Sequence, residues 1–277
     1  MSDTVEMIGT SLVQHGNFND RVYLMKLAED DLPSIIGDLN TLASDNGYSK
    51  IIAKVPCTAI KTFAKDEYII EAVIPQLYSG LDAAFVAKYL SDSRRDPANS
   101  NAASSIAGDC TDPSALGRKR ELPQDFAFRI CESQDSAAMA AEYRKIFCTY
   151  PFPIHDHRYI EKTMADNVIY FGVWHKDRLV ALSSAEMDVA QQNAEMTDFA
   201  TLQEYRGMGL ATYLLQQMES EMKQRNIKTL YTIARTGSRA MNLVFASAHY
   251  EYGGTLGKNT NICGQLESMN VWYKALG

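Results

Sequence analysis

The sequence is short of cysteine, tryptophan and positive charge, and it holds no long hydrophobic run. Its five cysteines, at 57, 110, 131, 148 and 263, are odd in number and include no C-x-x-C pair. Neither a disulfide framework nor a zinc site is expected, and a reducing compartment is. With 27 Lys+Arg against 34 Asp+Glu, the formal charge is −7, which argues against a nucleic-acid binder, since such proteins carry a basic stripe that neutralises phosphates. A small-molecule partner fits better. The longest solid apolar run, Val168 to Trp174, is far short of a membrane span, and acids occupy the N-terminus where a signal peptide would have a basic and then an apolar stretch. A soluble, cytoplasmic protein with no membrane or nucleic-acid partner is the expectation.

What is present is enough apolar surface for a core. The 277 residues are 46% apolar and 22% charged, longer than one typical domain. Between Leu90 and Asp125 the composition turns to Ser, Asn, Ala and Pro with little apolar periodicity, which marks a linker. Beyond it, Phe126 to Cys131 reads as a strand, and Asp135 can cap a helix with Met139, Ala140, Tyr143, Ile146 and Phe147 on one face. Tyr150-Pro-Phe-Pro stops that helix. Strands follow at Val168 to Trp174, Leu179 to Met187 and Ala194 to Thr201. Leu210, Leu214, Met218 and Met222 then recur every fourth residue, as in an amphipathic helix facing a sheet. Leu230 to Ala234 is a strand, Ser238 to Ala248 a helix, and Glu267 to Tyr273 a closing strand. The order predicts a mixed α/β sheet covered by helices.

The chemistry is expected at the turn after the third of these strands. There Arg206-Gly207-Met208-Gly209-Leu210-Ala211 places two glycines at the mouth of a helix, whose unpaired N–H groups and positive dipole end suit a pyrophosphate. A dinucleotide fingerprint is not met, because Thr212 stands where the third glycine belongs, and the P-loop pattern fails for want of Gly-Lys-Ser/Thr. The pattern that remains, Q/R-x-x-G-x-G/A, resembles the pyrophosphate loop of the GNAT acetyltransferase superfamily. The stretches TYPFPIHD (149–156), ALSSAEMD (181–188), NAEMTDFAT (193–201), TIARTGSRAMN (232–242) and ESMNVWYK (267–274) narrow the resemblance to the beta-lysine N-acetyltransferase family, over essentially the whole chain. It implies a GNAT-type mixed, mostly antiparallel sheet flanked by helices, with acetyl-coenzyme A as co-substrate, a small-molecule amine as acceptor and no metal. N6-acetyl-beta-lysine, the product known for that family, is a net-neutral compatible solute.

The first half carries an echo of the second. Phe63-Ala-Lys-Asp-Glu-Tyr68 parallels Phe245-Ala-Ser-Ala-His-Tyr250, each preceded by a strand and followed by a lysine-bearing strand end, at Lys88 and Lys274. Chance similarity and a diverged repeat both account for this. Where a first copy would carry the glycine loop it has Leu27-Ala-Glu-Asp-Asp-Leu-Pro33, whose acids would repel a pyrophosphate. The expected organisation is a degenerate GNAT-like α/β domain over 1–92, a linker over 93–124 and a catalytic GNAT domain over 125–277, with a homodimer left open.

For the transfer, an ammonium must lose a proton before its nitrogen attacks a thioester, and a carboxylate is a suitable base. The strand before the loop supplies Glu195 and Asp198, expected on opposite faces because three residues separate them. By resemblance Glu195 is the base, and Asp198 with Glu186 would hold a substrate ammonium. Phe199, Ala200 and Thr201 would run beside the pantetheine arm, with Arg206 to Thr212, Ser238 and Phe245 completing the cofactor contacts. Phe245 stands where many GNAT members have a tyrosine acid, which leaves Tyr250, Tyr252 or solvent for that role. Tyr150 and Phe152 would wall the acceptor's methylene chain. His155 and His157 lack a third ligand at workable spacing, and His249 stands where the family has glycine. Three functions stay open: acetylation of a small amine, acetylation of protein lysines or N-termini, and a non-catalytic acyl-coenzyme A sensor.

Overall fold

The computed structural model describes residues 3–95 and 120–277, so most of the expected linker lies outside the described residues. The part of it at 93–95 is anchored: Arg94 is buried, and its guanidinium donates to Asn19 O, Ser49 Oγ and Asp20.

The first half comprises β1 (Thr4–Ile8), β2 (Ser11–Gly16), β3 (Arg21–Lys26), α1 (Ser34–Asn46), β4 (Lys50–Pro56), α2 (Ile60–Ala64), β5 (Ile69–Tyr78) and β6 (Leu81–Tyr89). The second runs β7 (Phe126–Ile130), α3 (Ser136–Ile146), α4 (His157–Asp166), β8 (Val168–His175), β9 (Arg178–Asp188), β10 (Asn193–Thr201), α5 (Leu210–Gln224), β11 (Thr229–Arg235), α6 (Arg239–Ser247), β12 (Glu251–Ile262) and β13 (Gln265–Ala275). Two of these elements, α4 and β12, are absent from the sequence expectation. Helix α4 buries only Ile160, too short an apolar stripe to show. Strand β12 looks like a loop because it holds Gly253, Gly254, Gly257 and four polar residues in a row, Lys258 to Asn261.

All thirteen strands hydrogen-bond in the order β1-β2-β3-β4-β6-β5-β12-β13-β11-β10-β9-β8-β7. Read outward from the β5–β12 junction, the halves repeat one another. β3 and β4 are parallel, as are β10 and β11, and the other pairings are antiparallel. α1 and α5 make the crossovers between the parallel pairs, as parallel neighbours require. The Phe-to-Tyr segments match in detail. Phe63 and Tyr68 meet edge to face at 5.1 Å between centroids, and so do Phe245 and Tyr250. Glu67 and His249, each just before the tyrosine, both have φ of 64°. His249 therefore stands for the left-handed backbone that glycine takes most easily.

Alternation along each strand decides which face is covered. Val22, Leu24, Ile51, Ala53 and Val55 turn to α1 and α2, while Leu210, Leu214, Met218 and Met222 of α5 pack on Ala194, Met196 and Leu230. The opposite, helix-free face of the first half meets the second half through Ile52, Phe85 and Leu77 against Tyr231, Met269 and Val271. Lys54 on β4 and Tyr231 on β11 are five strand-to-strand steps apart, or about 24 Å in a flat sheet. Yet Lys54 Nζ lies 3.0 Å from Tyr231 Oη. The sheet folds over at the β5–β12 seam, and the first half closes on the second.

Gly253 and Gly254 make that seam. A Cβ on Gly253 would lie 2.6 Å from Val73 O, and one on Gly254 would lie 2.6 Å from Ala72 Cα and closer still to Glu71 O. Only side-chain-free backbone lets β5 come this near.

Candidate active site

Cross-strand register builds the site. On β10, Glu195 lies opposite Glu186 of β9 on one side and Tyr231 of β11 on the other. The three side chains form a row on the sheet face that the first half covers. Two residues back along β9 from Glu186, Ser184 shares this face.

Asp198 is on this face as well, which corrects the expectation of opposite faces. The register between β9 and β10 slips between Thr197 and Ala200, and Asp198 sits in that bulge with φ of 56°. One extra residue re-aims the side chain. The Asp198 carboxylate accepts from Ser184 Oγ at 2.5 Å and from the Tyr150 hydroxyl. Three acids thus share one pocket face. Burial pushes the Glu195 carboxyl up to about 7, with Glu186 adding to the rise and Lys54 and a hydrogen bond from Tyr231 opposing it. Loss of hydration also raises Glu186, with Lys54 again opposing, and Asp198, whose Ser184 and Tyr150 bonds hold it back.

Tyr150 therefore reaches the acids from the α3–α4 loop, as expected of a pocket wall. Phe152 packs one layer away, against the cluster of Met139, Tyr143 and Ile160 under α3 and α4. Two contacts pin this loop to the β12–β13 hairpin. Cys263 N donates to Thr149 Oγ1 at 2.8 Å, and Cys148 and Cys263 form a disulfide with Cα atoms 5.8 Å apart. The bridge overturns the expectation of no disulfide. Its partners are 115 residues apart, so an odd cysteine count without local spacing could not reveal it.

Other expected residues sit elsewhere. Tyr250 belongs to the core beneath α5, on the far side of the sheet, packed on Phe245 with Lys274 Nζ 5.5 Å from its ring centre. The structure does not bring it to the acids. Phe245 packs edge to face on Phe199 at 5.5 Å. His157 Nδ1 faces Glu161 at 3.3 Å, and the His155 carbonyl accepts from Arg144; the two rings do not converge on a common point. No group of three or more His, Cys, Asp or Glu among the described residues could hold a metal ion.

Sequence reasoning passed over Asn242 and Lys54. Asn242, fully buried, donates to Arg235 O and Ser238 O and accepts from Asn270 Nδ2 and Trp272 Nε1, which fastens the N-terminus of α6 to β11 and β13. An asparagine on the apolar face of a helix was the only signal. Lys54 lay in the half to which no chemistry was assigned.

The glycine loop has the geometry a pyrophosphate needs. Gly207 and Gly209 have φ of 81° and 79°, and a Cβ on Gly207 would meet nothing within 4 Å. Helix α5 starts at Leu210 with no side-chain cap and no acid in its first turn, so its leading N–H groups have no intrahelical partner. Arg120 lies alongside, its Nε 3.5 Å from where a Gly209 Cβ would be. Arg206 folds back, Nε to Thr201 O at 3.3 Å. Strands β10 and β11 pair only over 193–195 and 229–231, so beyond Glu195 they part and leave the backbone of Phe199 to Thr201 free along that edge. The gap between β10 and β11 therefore opens beside Glu195.

At the matching place in the first half, α1 begins after Leu32-Pro33 with no glycine, and Pro33 at its cap has φ of −90°. Asp31 fills the turn, accepting from Thr10 N at 3.0 Å and Ser11 Oγ at 2.6 Å. No helix among the described residues is long and apolar enough to cross a membrane.

Comparison with known proteins finds a family and full-length relatives. The Acetyltransferase (GNAT) family profile matches residues 137–244. A beta-lysine N(6)-acetyltransferase of Methanococcus maripaludis is 39% identical over 96% of this chain and 97% of its own length. The N-acetyltransferase YodP of Bacillus subtilis is 33% identical over 96% of each chain. A beta-lysine N(6)-acetyltransferase of Methanosarcina mazei is 31% identical over 87% of this chain and 97% of its own.

Proposed function

We propose that this chain, which belongs to the beta-lysine N-acetyltransferase family of GNAT enzymes, transfers an acetyl group from acetyl-coenzyme A to the N6 amine of beta-lysine. The observation that carries the acceptor class is the trio of Glu186, Glu195 and Asp198 on one face, next to the gap between β10 and β11. An acceptor with two ammonium groups matches such a face. One of them must be deprotonated and the other held.

Glu195 is the base in this proposal. Its carboxyl, pushed up to about 7, is ionised often enough near neutral pH to take a proton and basic enough to do so, alone or through a water. The neutral nitrogen then attacks the acetyl carbon of the thioester, the C–S bond breaks, and the proton the nitrogen sheds as the amide forms passes to the departing coenzyme thiolate or to water. Asp198, fixed by Ser184 and Tyr150, and Glu186 hold the second ammonium. The free edge of Phe199 to Thr201 offers N–H and C=O groups to the pantetheine arm, and N–H groups from Gly207 to Thr212 suit the pyrophosphate. Acetyl-coenzyme A supplies the activated acetyl group. With Tyr250 in the far core, the departing thiolate needs no protein acid, since it is a fair leaving group.

The test is a panel of acceptors assayed by thiol release from acetyl-coenzyme A. Beta-lysine should exceed polyamines and short peptides in kcat/KM by about tenfold or more, the discrimination one unmatched charged group produces, and should also exceed lysine, whose same three charged groups are spaced differently. A preference for peptides, or no turnover, would sink the assignment.

We also propose that the first half is a GNAT-like copy that has lost its cofactor. The two-residue Leu32-Pro33 connection has replaced the glycine loop, and Asp31 fills the space. Titration calorimetry with acetyl-coenzyme A should find one site per chain. Two equivalent sites would show that the first half still binds.

A further inference from the structure

Three acids answer two ammonium groups, but an amino acid also brings a carboxylate, and among the described residues the second half brings no cation into contact with these acids. The first half does. Lys54 is on the helix-free side of β4, in the same alternation as Ile52, and its ammonium reaches across the closed sheet. Nζ donates to Tyr231 Oη at 3.0 Å and sits 5.2 Å from the centre of that ring. Tyr231 is in turn the cross-strand neighbour of Glu195.

Lys54 is not committed elsewhere. Among the described residues it makes no ion pair, whereas Lys50, two turns of the pleat away on the same face, is consumed by Glu71 at 2.8 Å and Gly257 O at 2.7 Å. An ammonium has three N–H donors, and the phenol takes one. Lys26, the other lysine crossing to this side, pairs with Asp188 at 3.0 Å. Glu186 and Glu195 feel the Lys54 charge without bonding it. The site therefore holds three carboxylates and one half-satisfied cation, the complement of a molecule with two ammonium groups and one carboxylate.

We propose that Lys54 binds the carboxylate of the acceptor, so that the half without a cofactor loop supplies the group that separates diamino acids from plain diamines. This rests on the small-amine acceptor proposed above. Tyr231 positions Lys54, holding the ammonium over the row of acids while leaving two donors for a carboxylate. A bidentate contact of that kind is charge-assisted at both ends.

The experiment compares two acceptors, beta-lysine and 1,4-diaminopentane, which is the same molecule without its carboxylate. The ratio of their kcat/KM values is measured in the wild type, Lys54→Met and Lys54→Arg. A change in the basicity of Glu195 alters both acceptors alike and cancels in the ratio. We expect the wild type to favour beta-lysine, Lys54→Met to lower the ratio by about 10- to 100-fold through KM for beta-lysine, and Lys54→Arg to restore part of it. KM for acetyl-coenzyme A should stay within about twofold in every variant, since Lys54 is remote from the loop. Should Lys54→Met fail to fold, Lys54→Gln keeps a donor for Tyr231 and should show the same fall. An unchanged ratio with both acceptors equally slowed overturns the proposal and leaves Lys54 a residue of the fold or of the base's environment. A wild type that already prefers the diamine refutes the acceptor assignment itself, before any variant is made, and takes this inference with it.

Discussion

Glu195→Gln should lower kcat by about 100- to 10,000-fold, the range for loss of a general base, and should abolish the acid limb of the pH profile. The sign follows from which form works. A base must be ionised, and the Glu195 carboxyl is pushed up to about 7. Wild-type kcat should therefore be level above pH 7 and fall about tenfold per unit below it. Glutamine cannot titrate, so the variant should be slow and flat through that window. The groups facing Glu195 set where the limb falls: Glu186 and Asp198 raise it, while Lys54 and the Tyr231 hydroxyl lower it. Circular dichroism should be unchanged, since the amide is isosteric with the carboxylate and its oxygen can still accept from Tyr231. Near-normal kcat in Glu195→Gln across pH would move the role to Asp198 or to a water chain.

Gly209→Val should weaken acetyl-coenzyme A binding by at least about 100-fold while the protein stays folded. Gly209 has φ of 79°, a region closed to a β-branched residue, so valine must drag the loop out of shape. The fold itself has room, because among the described residues the nearest atoms to an added Cβ belong to the Arg120 side chain, at 3.5 Å and beyond. The harm falls on the N–H groups at the mouth of α5 and on how near a phosphate can come to them. Calorimetry measures the affinity and circular dichroism the fold. Full affinity in a folded Gly209→Val protein would mean that the pyrophosphate is bound elsewhere.

Contiguity decided what could be seen beforehand. Gly207 and Gly209 lie in one short stretch between a strand and a helix, so sequence alone pointed to them, and the four-residue recurrence of Leu210, Leu214, Met218 and Met222 announced α5. Asp198 was identified but turned the wrong way, because period-two alternation holds only while the ladder is regular and nothing in Thr197-Asp198-Phe199 announces a bulge. Tyr250 drew attention as a phenol close in sequence to Phe245, and the two rings do pack together, but on the side of the sheet away from the acids. Lys54 and the Cys148–Cys263 pair were beyond reach for one reason: each depends on chain segments more than a hundred residues apart meeting across the folded sheet. Strand β12 was hidden by the glycines that make it useful.

Those glycines have a consequence for how such a protein can change over generations. The acids belong to one half and the ammonium that faces them to the other, so the spacing of charges in the pocket is a property of neither half. It is set by the angle at which β5 and β12 meet, and Gly253 and Gly254 fix that angle by having nothing to get in the way. A methyl group gained there would act as a wedge, retuning acceptor preference from a place that touches no ligand. Nor can either half be exchanged without its own matching edge, so each half constrains the sequence of the other along this seam.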